Sequence, residues 1–173
     1  MNVLFFKYLF DNYDYELKYS FAIQDAILSN KTIHYFIKQG DYNFQTIRDF
    51  HTAIKWYEKA LAIQQQSLPS THPDLAASYI GIGLVYSSMG DYPKALSFYE
   101  KTLVIRQQSL LPTHPDLAMS YNNMGTTHEC MGNYSKAHSC LERAVDIGQR
   151  SLPANHPDLK KWRNNLARIK KKL

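Results

Sequence analysis

Histidine and cysteine carry most of the chemistry this 173-residue chain could perform, with seven of the first and two of the second. Three histidines, His72, His114 and His156, recur at a constant interval of 42 residues, which first suggests a zinc site. If each interval is a pair of helices, however, successive imidazoles stand two helix widths apart at about 8–10 Å per helix. Metal bonds of about 2 Å cannot join them. These histidines therefore read as corner residues. His128 and Cys130 lie two apart on a predicted helix, hence on different faces, and do not form a base and nucleophile. Cys130 and Cys140 read as reduced thiols of a cytoplasmic protein. Gly81-Ile82-Gly83 lacks the third glycine of a dinucleotide loop and falls inside a helical pattern. No catalytic set emerges, so the chain is expected to be no enzyme and to carry no cofactor or metal.

The elements that hold these residues follow from the repeat. His72-Pro73-Asp74-Leu75 returns as His114-Pro115-Asp116-Leu117 and His156-Pro157-Asp158-Leu159, carrying matched residues along: Tyr79 with Tyr121, Gly83 with Gly125, Gly90 with Gly132, Ala95 with Ala137. A period between about 20 and 50 residues means units that stack because none can bury its apolar face alone. Pro73 suits the first helical position, where its missing N–H would have no partner, and Asp74 complements the positive end of the helix dipole. Leu75, Tyr79, Ile82 and Tyr86 then make an amphipathic stripe. Gly90 suits the left-handed residue that closes a helix, and Asp91 can cap the next one. The partner helix runs through Ala95, Tyr99, Leu103 and Leu110. Gly83 and Ala95 are small residues within bulky stripes and mark where two helices cross.

Tyr79, Ile82-Gly83, Tyr86, Ala95 and Tyr99 supply the tetratricopeptide pattern, and Tyr121, Met124-Gly125, Gly132, Tyr134 and Ala137 repeat it. With its Ile105-Arg106-Gln107-Gln108-Ser109-Leu110 extension the unit exceeds the usual length of about 34 residues. From roughly residue 50 to 173 the chain resembles the long tetratricopeptide repeats of kinesin light chains. That resemblance implies an all-α, right-handed α-solenoid of antiparallel helix pairs, a superhelix closed by a C-terminal capping helix. It implies a concave face, lined by the first helix of each pair, that takes an extended peptide. Carried over, the face is Ala77, Ile80, Leu84, Met119, Asn122, Asn123, Thr126, Lys161, Asn165, Arg168 and Lys172. Asn123 and Asn165 stand where related repeats often hydrogen-bond a ligand backbone. The gradient from apolar through amide to basic implies a protein or peptide partner with apolar and acidic residues, as in cargo recognition. Solvated polar positions are the alternative.

Composition bounds the rest. A hydrophobic content of 45% suits one domain of ordinary core size. Apolar runs fall short of the roughly 20 residues that cross a bilayer. Met1 to Phe6 is apolar but is broken by Lys7 and Asp11, so no signal peptide is expected. Of the net charge of +5, residues 160–173 hold +7, leaving −2 elsewhere. Leu159, Trp162, Leu166, Ile169 and Leu173 form a stripe there, so the lysines read as the solvated face of a capping helix; nucleic-acid binding is a weaker reading. Residues 1–45 form an N-terminal segment, either a degenerate repeat with an insertion or a remnant of another domain. Phe21–Leu28 reads as helix, Ser29–Thr32 as a turn, Thr32–Gln39 as short helix or strand, and Gly40-Asp41-Tyr42 as a corner. The array then spans 46–173, as a partial repeat 46–70, repeats 73–112 and 115–154, and a cap 157–173. A second functional reading is the regulatory or docking end of a larger enzyme. Neither a membrane nor a small-molecule substrate is expected.

Overall fold

Every His-Pro-Asp phrase opens a helix in the computed structural model, which describes residues 30–173. Helix α1 covers 30–42 and ends in a π-helical turn, Asn43–Ile47. It is followed by α2 (Phe50–Ser67), α3 (Pro73–Met89), α4 (Tyr92–Ser109), α5 (Pro115–Cys130), α6 (Tyr134–Ser151) and α7 (Pro157–Lys170). The role of the phrase is visible at atomic detail. Each histidine is the N-cap, and its Nδ1 accepts the backbone N–H of the aspartate two residues on, at 3.3, 3.2 and 3.2 Å. Proline at the first position has no N–H to offer, so the aspartate amide is the first that needs a partner.

The corner inside each pair repeats as strictly. Arg48, Gly90 and Gly132 have φ of 60°, 83° and 74°, again 42 residues apart. Asp49 and Asp91 behind them accept from the N–H of Thr52 and Lys94, while Asn133 makes no such bond. Arg48 thus occupies the position a glycine holds later, and α1 packs on α2 as the first helix of a pair, with Asp41 accepting from the Tyr57 hydroxyl. Gly40-Asp41-Tyr42 is therefore not a corner; it lies inside α1, where a Cβ on Gly40 would stand 2.8 Å from Tyr57. The expected turn at 29–32 is helical from residue 30 onward, and 32–39 is helix; the expected helix over 21–28 lies outside the described residues.

Small residues set the crossings. A Cβ on Gly83 would meet the Tyr99 ring at 2.6 Å, and one on Gly125 would meet Leu141 at 2.7 Å. Tyr99 and Leu141 are fully enclosed, so neither can retreat. Along one edge the pairs share a cationic contact. Lys59 lies over Trp56 and Phe36, Lys101 over Phe98 and Tyr79, and Arg143 over Tyr121.

Successive pairs are joined by a latch that changes along the array. Buried Gln64 accepts from the Ser78 hydroxyl and donates to the Asp74 carbonyl. One unit on, Arg106 donates to Ser120 and the Asp116 carbonyl, with the Asp116 carboxylate at 3.5 Å. At the third junction the pair is Gly148 with Trp162, the indole filling the space a side chain would take. Leu159, Trp162 and Ile169 of α7 are buried and Leu166 is half-buried, as the stripe requires; Leu173 is beyond the helix and 67% exposed. No helix among the described residues is long and apolar enough to cross a membrane.

Candidate functional site

The first helices of the pairs, α1, α3, α5 and α7, present one face that is not covered by their partners. Ala77 on α3 lines a groove of about 300 Å³ against Ile33, His34 and Ile37 of α1, floored by Gln64. Leu84 and Met119 remain 38% and 37% exposed, and Ile80 is half-buried. These apolar side chains are cut off from the core by the helices that carry them. They can be covered only by something laid across the face.

The C-terminal end is built differently from expectation. Asn122 and Asn165 are buried, and the Asn165 amide donates to Asn122 Oδ1 at 2.9 Å, so they join α5 to α7. Arg168 grips the Glu129 carboxylate with two hydrogen bonds of 2.8 and 2.7 Å, and Lys172 adds a third at 3.0 Å. Two of the three expected basic groups are thereby engaged within the chain, and Lys161 alone stays open. The Arg168 bonds hold the Glu129 carboxyl below the usual carboxylate range, with Lys172 adding to them and burial opposing; Arg168 is raised in turn. Asn123 and Thr126 are half-buried, and the Asn123 carbonyl accepts from the hydroxyls of Thr126 and Thr127.

A tetratricopeptide repeat family model matches residues 42–108 and 84–150, more than half of the chain. The chain belongs to the tetratricopeptide repeat family. Among solved structures it is similar to a protein from Podosopora anserina with nearly identical TPR-like repeats of kinesin-light-chain type. The two share 24% identity at a TM-score of 0.71, over 79% of this chain and 64% of the other. BtubC (BKLC) from P. vanneervenii gives 19% and 0.76, over 83% and 57%. The tetratricopeptide chain thus spans less than two thirds of either protein. The first TPR domain of Spaghetti (RPAP3), bound to the HSP90 peptide SRMEEVD, gives 14% and 0.61, over 82% and 93%. No curated protein matches the sequence.

Two groups on this tetratricopeptide face escape a reading of the sequence. Ile33, His34 and Ile37 belong to the groove because the array continues back through α1; projecting the glycine corner 42 residues upstream lands on Arg48-Asp49 and would have revealed it. Glu129 stands in the last turn of α5 with no motif around it, and only the approach of α7 gives it a partner. His128 fills the position of Tyr86. Its Nδ1 is buried without a hydrogen bond, and burial first, then Lys136, lower its pKa against a smaller pull from Glu100. Both cysteines are free thiols, and burial raises the Cys140 pKa.

Proposed function

We propose that this chain is a protein-interaction scaffold that binds an extended peptide along the face of α1, α3, α5 and α7. The observation that carries the reading is the row of uncovered apolar side chains, Leu84 and Met119 with half-buried Ile80, on the same helices as the groove at Ala77. Tetratricopeptide arrays use such curved surfaces for binding, and a structural neighbour holds an acidic peptide. A peptide with an apolar residue for the α1–α3 groove and an acidic end directed toward Lys161 and Arg168 suits the charge order. Asn123, Thr126 and Lys172 flank its path. The acidic end competes with Glu129, which already occupies Arg168 and Lys172. A cargo-adaptor role of the kinesin-light-chain kind is the narrower form of the proposal, supported by the shared fold.

The test is fluorescence anisotropy with a labelled extended peptide carrying an aromatic residue followed by glutamates. Leu84→Lys and Met119→Lys are expected to abolish binding, and Val104→Lys on α4 to leave it unchanged. Glu129→Gln is expected to tighten it by releasing the two cations. Interfaces smaller than about 1,200 Å² are commonly weak, so modest affinity is expected. Binding that survives both α3 and α5 substitutions would overturn the assignment of the face.

A further inference from the structure

The outer side of α7 carries a second surface, distinct from the peptide face. Shifting α7 back by 42 and 84 residues lays Lys160 over Ala118 and Ala76, Arg163 over Tyr121 and Tyr79, Ala167 over Gly125 and Gly83, and Lys170 over His128 and Tyr86. In the two preceding pairs these positions receive the second helix, with Tyr99 against Gly83 and Leu141 against Gly125. In α7 they are exposed. The receiving geometry survives, because Ala167 keeps the crossing position small, but its surroundings have become cationic. Lys160, Lys170 and Lys171 make no ion pair among the described residues, and Arg163 makes only a long bond of 3.4 Å to the Ala154 carbonyl.

We propose that this face is a docking site for an acidic helix of a partner protein, which lies against α7 where the second helix of a fourth pair would lie. Charge selects the occupant. Four unpaired cations around a small residue repel a basic helix and leave an apolar one facing desolvated charges, which is costly. A helix with carboxylates at successive turns and a small residue between them meets both requirements, and glutamate spaced three and four apart presents them on one side. The stripe from Lys160 through Arg163 to Lys170 spans ten helical rises, about 15 Å, which three turns of a partner cover. An arbitrary polyanion would need only the charge, whereas a docked helix also needs the room above Ala167. Among the described residues, α7 places no aromatic side chain on this face to stack on a base.

The experiment uses the full chain and three fluorescent probes. One is an alanine-based helical peptide with glutamates on one side, the second has the same composition with the glutamates dispersed around the helix, and the third is a single-stranded oligonucleotide. The one-sided peptide is expected to bind at least about tenfold tighter than the dispersed one, and Lys160→Gln, Arg163→Gln and Lys170→Gln together to abolish it. Ala167→Leu, an exposed substitution that keeps every charge, is expected to weaken it by about tenfold or more through overpacking of the crossing. Thermal melts of each variant confirm that the array is intact. Absence of binding by the one-sided peptide overturns the proposal. So does equal binding of the dispersed peptide or the oligonucleotide with no effect of Ala167→Leu, which would make the face a plain basic patch. Leu84→Lys is expected to leave this binding unchanged, which separates it from the peptide face on α3.

Discussion

Gly83 offers the sharpest check on how the pairs are held. Replacing it with alanine adds one carbon, which would stand 2.6 Å from Tyr99 Cε1 and 2.8 Å from Cδ1, well inside contact distance. Tyr99 is 1% exposed, so its ring cannot swing away without moving α4. Two effects oppose each other. Gly→Ala in a helix interior stabilises by about 0.8–1 kcal/mol through backbone entropy, whereas overpacking a tight core site costs about 1–3 kcal/mol. The second wins, and Gly83→Ala is expected to destabilise by about 1 kcal/mol. Tyr99→Ala removes the obstacle, at a cost of about 3–5 kcal/mol of its own. In that background the same Gly83→Ala change meets open space and is expected to stabilise by close to 1 kcal/mol. The sign reversal implies a coupling of about 2 kcal/mol, within the range for residues in contact. Urea titrations of the four proteins give it directly, provided the m values agree. Additive effects would refute the assignment of Gly83 as the crossing, and so would stabilisation by Gly83→Ala in the intact core.

Three further outcomes are expected. His72→Ala, His114→Ala and His156→Ala should each cost about 1 kcal/mol of stability by removing a cap, while asparagine, itself a good cap, should restore most of it; thermal melts check this. Arg48→Gly should stabilise by about 1 kcal/mol because a left-handed backbone costs a side-chain-bearing residue about that much or more, and Gly90→Ala should do the opposite. Two side chains contribute separable parts of the response to acid, and denaturation across a pH series reads both. Glu129 has a folded pKa below its ordinary value, so its contribution is complete above about 4.5 and is lost as pH falls through the folded value; Glu129→Gln removes that dependence. His128 is also depressed, so stability should already fall as pH drops below the ordinary histidine value of 6.5, and His128→Tyr should abolish that earlier loss.

The repeat was legible because its signals are local. A proline without an N–H, a glycine with a positive φ and a small residue at a crossing each solve a problem within one or two turns of helix. The first pair was harder to see because Arg48 takes the left-handed corner without glycine and the crossing residue is Gly40 where strict spacing calls for position 41. Those departures hid an element that is otherwise in register. The face suffered more. Whether Asn122 and Asn165 meet a ligand or each other, and whether Arg168 is open or held, depends on how closely α7 approaches α5. Residues 43 and 39 apart settle that, and no short motif records it.

The junctions explain how one repeated unit yields an array whose neighbouring faces are matched to each other. Short loops between successive pairs set which units are neighbours, and the junction itself sets how closely the two faces match. The latch position does this. Gln64 satisfies Ser78 by exchange of neutral hydrogen bonds, Arg106 needs both Ser120 and the acceptors of Asp116, and Gly148 accepts nothing smaller than the indole of Trp162. Exchanging partners would leave the Arg106 guanidinium against an indole, or a cavity between Gly148 and a serine. An unpaired buried charge and an unfilled void are each worth several kcal/mol, more than most single contacts in the array contribute. The same reasoning applies to the outer face of α7, where Lys160, Arg163 and Lys170 would become three buried charges beneath the apolar side of a helix such as α4 or α6, so this face is a poor match for a second helix of the kind that closes the preceding pairs.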